Sequence, residues 1–315
     1  MNRDIGACSP RDEDPVLIGE QEGGTLARER AHSPSGESPF AYRVGRTAGT
    51  REMRALILLA SFRYLTRFQL EELLFDASPE PLGAARVMTR RVLKRLQNEH
   101  LLAAHPRIVG GAAGGSGRTV YSPSAAGLKV VRSLCPGLPR RESGSRRPFL
   151  LQHSLATAEV ALAFQRSARE MGYRLVEWDF DWGAGEPIGG GVVVPDARLV
   201  YANAEYEVEA FVEIDLGTER MGFFAAKLRR YLELYRAGTW RLGHVSWPLV
   251  AIVVPDERRA LVVARLAQAA LQDADDVRTA VEFWIATAER VHNETLGRIW
   301  RVVGRDGMFT LLPDG

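Results

Sequence analysis

The sequence predicts an α+β protein of two unlike modules. A helical unit ending in a Gly-rich hairpin comes first, and an α/β unit follows, with a mixed sheet flanked by helices. Three observations carry this. Between residues 51 and 134, three helical patterns are followed by two strand-like runs separated by GGAAGGSG. From residue 150 onward, helical and strand-like runs alternate, and one of them, WPLVAIVVP, is apolar throughout, as in a strand covered on both faces. Between the two units lies CPGLPRRESGSRRP (135–148), whose Pro, Gly, Ser and Arg content is that of a linker. A length of 315 residues accommodates two domains.

The elements follow in order. Residues 1–49 are rich in Gly, Ser, Pro, Arg and Glu with little apolar periodicity, so a disordered tail is expected. Residues 50–135 form the first unit. REMRALILLASFRYL (51–65) reads as an apolar helix, and TRFQLEELLF (66–75) opens with Thr66 and carries Gln69 three residues on, a capping box. GAARVMTRRVLKRLQNEHLL (83–102) is a third helix: Val87, Met88, Val92, Leu93 and Leu96 form a core stripe, and Arg86, Arg90, Arg91, Lys94 and Arg95 form the opposite face. LLAAHPRIV and RTVYSP are the two strands, with Arg118 at the base of the Gly-rich loop, and SAAGLKVVRSL is a closing helix.

After a linker at 136–148, the second unit covers 149–315. LLQHSLATAEVALAFQRSAREMG (150–172) is an amphipathic helix and YRLVEWDF a strand. GGVVVPDARLVY and EYEVEAFVEID form a hairpin through the turn ANAE. TERMGFFAAKLRRYLELYRAG (218–238) is a long helix, followed by the WPLVAIVVP strand, the helix DERRALVVARLAQAAL, the strand VRTAVEFWIAT and a short helix-strand tail.

Charge is unevenly distributed. The chain carries a net +2, yet residues 51–150 hold 17 basic and 7 acidic residues while residues 151–315 hold 18 basic and 24 acidic. A basic unit beside an acidic one points to a polyanionic partner for the first. Cys8 and Cys135 lie far apart in loop-like segments, so neither a disulfide framework nor a zinc pattern is expected. No apolar run is long enough for a membrane span, and the first residues are acidic and Gly-rich rather than basic and then apolar. A cytoplasmic protein without a membrane partner is the expectation. Gly189–Gly191 precede no Lys-Ser/Thr, so a nucleotide loop is excluded.

Three helices followed by a Gly-rich two-stranded wing resemble a winged helix-turn-helix. That resemblance implies double-stranded DNA as partner, with the third helix in the major groove and the wing on phosphates. Arg86, Arg90, Arg91, Lys94, Arg95 and Arg118 are its candidate DNA-binding residues, since guanidinium groups fork onto phosphates and guanine edges.

The second unit holds a carboxylate constellation. A hairpin turn between Asn203 and Ala204 pairs residues summing to about 407, so Asp196 faces Phe211 and Glu213 lies one diagonal further on. Strand alternation puts Asp196, Glu213 and Asp215 on one face, and diagonal neighbours about 7–8 Å apart can share one Mg²⁺. The order α-β-β-β-α-β resembles the PD-(D/E)xK phosphodiesterase superfamily. It implies Asp196 and Glu213 as metal ligands and a basic residue two positions later. Here that position is Asp215, so Lys227 on the next helix is the candidate basic group, with pairing to Glu219 or Glu233 as its alternative role. His153 reads as a helix-start contact or packed histidine, and Glu159 as a further acid that the first helix could add.

QHSLATAEV, VVPDARLV and FVEIDLGTER followed by KLRRYLELY, downstream of the winged helix, resemble the bacterial replication-relaxation family. The resemblance implies a DNA-binding protein of plasmid or mobile-element replication, relaxation or mobilisation, with a relaxase or replication protein as partner. Two alternatives stay open: a Mg²⁺-dependent DNA endonuclease using Asp196, Glu213, Asp215 and Lys227, and a winged-helix transcriptional regulator.

Overall fold

The computed structural model of the protein describes residues 28–29, 50–75, 82–105, 119–134, 148–180, 186–188, 191–244 and 246–312. Arg118, the GGAAGGSG loop tip, residues 135–147 of the linker segment, and residues 1–49 except 28–29 lie outside them. Among the described residues, no helix is long and apolar enough to cross a membrane.

The first unit packs helices α1 (Arg51–Phe62), α2 (Arg67–Phe75) and α3 (Leu82–Asn98) against one another, and α4 (Ala125–Leu134) against α1. Thr50 caps α1, its Oγ1 accepting from the Met53 N–H at 3.3 Å. Thr66 and Gln69 satisfy each other at the start of α2: the Thr66 N–H donates to Gln69 Oε1 at 2.9 Å, and the Gln69 N–H to Thr66 Oγ1 at 3.3 Å. Leu65–Thr66 (β2), Leu102–His105 (β3) and Val120–Pro123 (β4) make a small antiparallel sheet with β4 central. The core face of α3 differs from the sequence stripe. Val87 is exposed, while Thr89 is buried, its hydroxyl bonded to the Ala85 carbonyl at 2.9 Å. A threonine whose hydroxyl turns back on its own helix presents its methyl to the core, which apolar periodicity does not reveal.

The second unit is built on a mixed sheet in the order β12-β11-β10-β9-β8-β5, formed by Arg174–Phe180 (β5), Ala197–Ala202 (β8), Tyr206–Ile214 (β9), Leu249–Val254 (β10), Phe283–Thr287 (β11) and Arg301–Val302 (β12). Strands β9, β10 and β11 run parallel, and β5, β8 and β9 form an antiparallel meander. Arg28–Glu29 (β1) pair with the start of β9, and Glu186–Ile188 (β6) with Gly191–Val193 (β7) make a separate hairpin. Every residue of β10 is buried, because helices cover both its faces. On one face lie α5 (Pro148–Glu170) and α8 (Ala288–Glu294), and on the other α6 (Met221–Ala237) and α7 (Glu257–Gln272).

The two units share a core. Leu56, Leu70 and Leu93 belong to the same buried cluster as Phe164, Val212 and Trp300. Polar contacts reinforce the junction: Gln69 Nε2 donates to the Leu155 carbonyl at 3.0 Å and to Glu159 Oε1 at 2.8 Å, and Arg166 pairs with Glu72 at 2.7 Å. Glu159 is thereby engaged at the junction.

Candidate active site

The β8–β9 hairpin sets the geometry. Ala202 pairs with Glu207 and Ala197 with Val212, so paired residues sum to 409 rather than about 407. The Asn203 side chain is responsible. Its Oδ1 accepts from the Glu205 and Tyr206 N–H groups at 2.8 and 2.7 Å, centring the turn one residue later than expected. A shift of two in the sum keeps every side chain on its expected face. Continuing the register by one residue moves Asp196 from a diagonal position to one opposite Glu213.

Glu213 is 1% exposed. Its Oε2 is hydrogen-bonded by the Lys227 ammonium, and its Oε1 accepts from the Tyr231 hydroxyl at 2.5 Å. Lys227 and Tyr231 are four residues apart on α6, so they project together. Lys227 Nζ also lies 3.8 Å from Asp196 Oδ1. Asp196 Oδ2 accepts from the Ile214 N–H at 2.7 Å and is 3.2 Å from His153 Nε2 on α5. Asp196, just before β8, thus links helices on opposite faces of the sheet.

The reach of Lys227 depends on how the chain reverses after β9. Gly217 has φ +75°, and its N–H donates to Asp215 Oδ1 at 2.8 Å. Helix α6 starts at Met221 rather than near Thr218, which places Lys227 six residues into it and over the end of β9. Asp215 is turned to a different partner. Arg259 of α7 forks onto both its oxygens, with Nη2 at 3.1 Å from Oδ1, and also donates to the Glu219 carbonyl at 3.1 Å. The structure therefore brings together Asp196, Glu213 and Lys227, and fastens Asp215 to Arg259. Tyr231, Arg259 and the link from His153 to Asp196 are absent from the sequence reading, since no local pattern marks a partner 18 to 44 residues away.

Burial lifts the Glu213 carboxyl to about 8, although the Lys227 ammonium and the Tyr231 hydroxyl work against it. Asp196 is also penalised by burial, but Lys227, His153 and the Ile214 N–H hold it down at about 2. Burial alone would lower Lys227; the Glu213 and Asp196 carboxylates overcome that and raise it. Lys227 therefore stays protonated and acts as a cation and donor rather than a base. Likewise, burial would lower His153, but its hydrogen bond to Asp196 leaves it raised above the usual 6.5.

On α3, Arg90, Arg91 and Lys94 are exposed. Arg95 is tied to Glu52 at 3.2 Å and to Glu99 at 3.1 Å, and Arg86 lies 3.7 Å from Glu71.

The family described as replication-relaxation matches residues 56–249, more than half of the chain, and the protein belongs to that family. No curated protein matches the chain. Among solved structures, restriction endonuclease FokI aligns with 77% of this chain at a TM-score of 0.25 and 13% identity. The chain spans 43% of the length of that protein.

Proposed function

We propose that this is a DNA-binding protein of plasmid or mobile-element replication, relaxation or mobilisation whose second unit cuts a phosphodiester bond with Mg²⁺. In this reading residues 50–135 act as a winged helix on double-stranded DNA, and the second unit is a PD-(D/E)xK-like domain. A relaxase or replication protein is the partner that the family context suggests. The observation carrying the catalytic part is the convergence of Asp196, Glu213 and Lys227.

The residues suit the cation. Asp196 and Glu213 offer hard oxygen donors, and the Lys227 ammonium already lies against both, so the site is built to receive positive charge. Mg²⁺ commonly takes only one or two protein carboxylates and keeps its remaining positions for water and phosphate. Among the described residues, no group of three or more His, Cys, Asp or Glu is gathered for a metal, so Asp196 and Glu213 are the protein's share. When bound, the cation offsets phosphate charge and makes a water easier to deprotonate. Lys227, fixed by Glu213, then serves as a second positive charge directed at the phosphate oxygens. Tyr231 holds the Glu213 carboxylate in orientation through Oε1, the oxygen that Lys227 does not take. Incubating supercoiled plasmid and branched DNA with the full chain, with Mg²⁺ or Mn²⁺ against chelator, tests this. Metal-dependent nicking supports the reading, and intact DNA on every substrate counts against it.

One observation favours a second reading, a nuclease-like domain kept as a scaffold: both oxygens of Glu213 already have donors. Unchanged DNA affinity without cleavage would select it.

The DNA-binding part has its own expected result. Affinity of the full chain for duplex DNA should fall steeply with salt, and replacing Arg90, Arg91 and Lys94 with Ala should flatten the log–log slope by roughly 0.9 per lost phosphate contact. Arg95→Ala should do less, because Glu52 and Glu99 already hold that guanidinium. Equal slopes for the triple variant and the wild type would remove α3 from the interface.

A further inference from the structure

A cavity of about 570 Å³ opens beside Asp196 and Lys227, and both units line it. That volume is in the range for a ligand of nucleotide size. Among the lining residues outside the carboxylate cluster are Arg63 at the end of α1, Arg220 at the start of α6, and Phe223 on α6.

Phe223 is 66% exposed. A single exposed apolar side chain needs no explanation by itself. This one stands four residues before Lys227, on the same face of α6, at the cavity that Asp196 and Lys227 of the phosphodiester reading also line. Exposed aromatic rings beside positive charge are what nucleobases stack on in single-stranded nucleic-acid sites.

Arg63 adds an independent observation. It has φ 65° and ψ −50°, and the Tyr64 N–H donates to the Phe62 carbonyl across it at 2.8 Å. This is a γ-turn with positive φ, a strained conformation for a residue with a Cβ and one that glycine adopts freely. An arginine stands where glycine would relieve the backbone, and it lines the cavity; strain of this kind gathers at ligand sites. Arg220 brings a second guanidinium to the same cavity; of the carboxylates that line it, Asp215 is offset by Arg259, Asp196 by Lys227 and His153, and Glu219 lies in the field of Lys227.

We infer that this cleft takes a single-stranded stretch of DNA: one unpaired base stacks on Phe223, while Arg220 and Arg63 hold the phosphates on either side. The inference rests on the phosphodiester reading for its polarity, with the phosphate next to the stacked base lying toward Lys227. It makes the substrate DNA with unpaired nucleotides at the site, and it makes the first unit a wall of the cleft as well as a duplex holder.

The test uses the full chain in chelator and an oligodeoxynucleotide carrying 2-aminopurine, single-stranded or annealed to its complement. Binding of the single strand should quench the 2-aminopurine emission, and intact duplex should bind without quenching. Phe223→Ala should abolish the quench and weaken single-strand binding about tenfold, with its melting curve unchanged, whereas Phe223→Trp should keep both. Arg63→Gly and Arg220→Ala should weaken binding and reduce its salt dependence while the bound complex still quenches. Single-strand binding without quenching, equal quenching of intact duplex, or a Phe223→Ala variant indistinguishable from wild type would overturn the inference. These readouts need no cleavage, so failure of the phosphodiester reading is scored separately: Asp196→Asn should lose cleavage and retain the quench.

Discussion

Glu213→Gln should melt well above the wild type at pH 8, with the gap closing as the pH falls toward 4.5. Burial puts the folded-state carboxyl at about 8 against 4.5 for the free side chain. Between those values the unfolded chain has released a proton that the folded chain keeps. A group whose folded pKa is raised contributes stability below its unfolded value, and that stability is lost as pH rises through the folded one. At pH 7 the cost is about 3 kcal/mol and at pH 8 about 4 kcal/mol, at ~1.4 kcal/mol per unit. In a domain of this size that is roughly 10 °C in melting temperature. Glutamine keeps the shape and one acceptor oxygen, for Tyr231, and removes the titration, while Lys227 keeps Asp196 as its counter-ion. Asp196 does not confuse the measurement: held at about 2, it contributes stability above 3.8 that is lost only as pH falls through 2, outside the window. Melting curves of both proteins from pH 4.5 to 8.5 are the check, and parallel pH profiles would show that Glu213 is not held in its protonated form. A stabilising substitution at the residue most central to the site would mean that stability has been given up there for chemistry.

Arg259→Ala should destabilise the protein by about 3–5 kcal/mol, since it strands a buried carboxylate. The Asp215 side chain is 0% exposed, and Arg259 supplies its forked partner. Adding Asp215→Asn to Arg259→Ala should recover much of the loss, because the charge is then gone. A melting temperature for Arg259→Ala within a degree or two of the wild type would show that water or another group takes the place of Arg259. The same pair bears on the site. Arg259 also donates to the Glu219 carbonyl, so it pins the loop from which α6 departs, and with it the position of Lys227.

What could be read from the sequence was the part governed by local rules. Period-two alternation put Asp196 and Glu213 on one face, and the capping box at Thr66 and Gln69 marked the start of α2. The hairpin register was off by two in the sum because an asparagine side chain centred the turn, and alternation is blind to an even shift. Sequence left Lys227 undecided between the carboxylates and Glu219 or Glu233, since a helix can leave a strand in any direction. The Gly217 reversal and the Arg259 clamp settle that direction. Tyr231 and the tie of His153 to Asp196 were not legible because each acts through a partner on another element. The stripe on α3 failed at Val87 for a related reason: a threonine with its hydroxyl satisfied at i−4 packs as an apolar residue.

The central claim is that Asp196, Glu213 and Lys227 together cut DNA. Its most direct measurement is the initial rate of nicking of supercoiled plasmid by full-length wild type, Asp196→Asn, Glu213→Gln and Lys227→Met in Mg²⁺, with DNA affinity measured on the same preparations. The account predicts a rate lowered roughly a hundredfold or more in each variant, the scale for losing one group that stabilises transition-state charge, with affinity for duplex unchanged. Nicking at the wild-type rate in the three variants, or no nicking by the wild type in either Mg²⁺ or Mn²⁺, would contradict it.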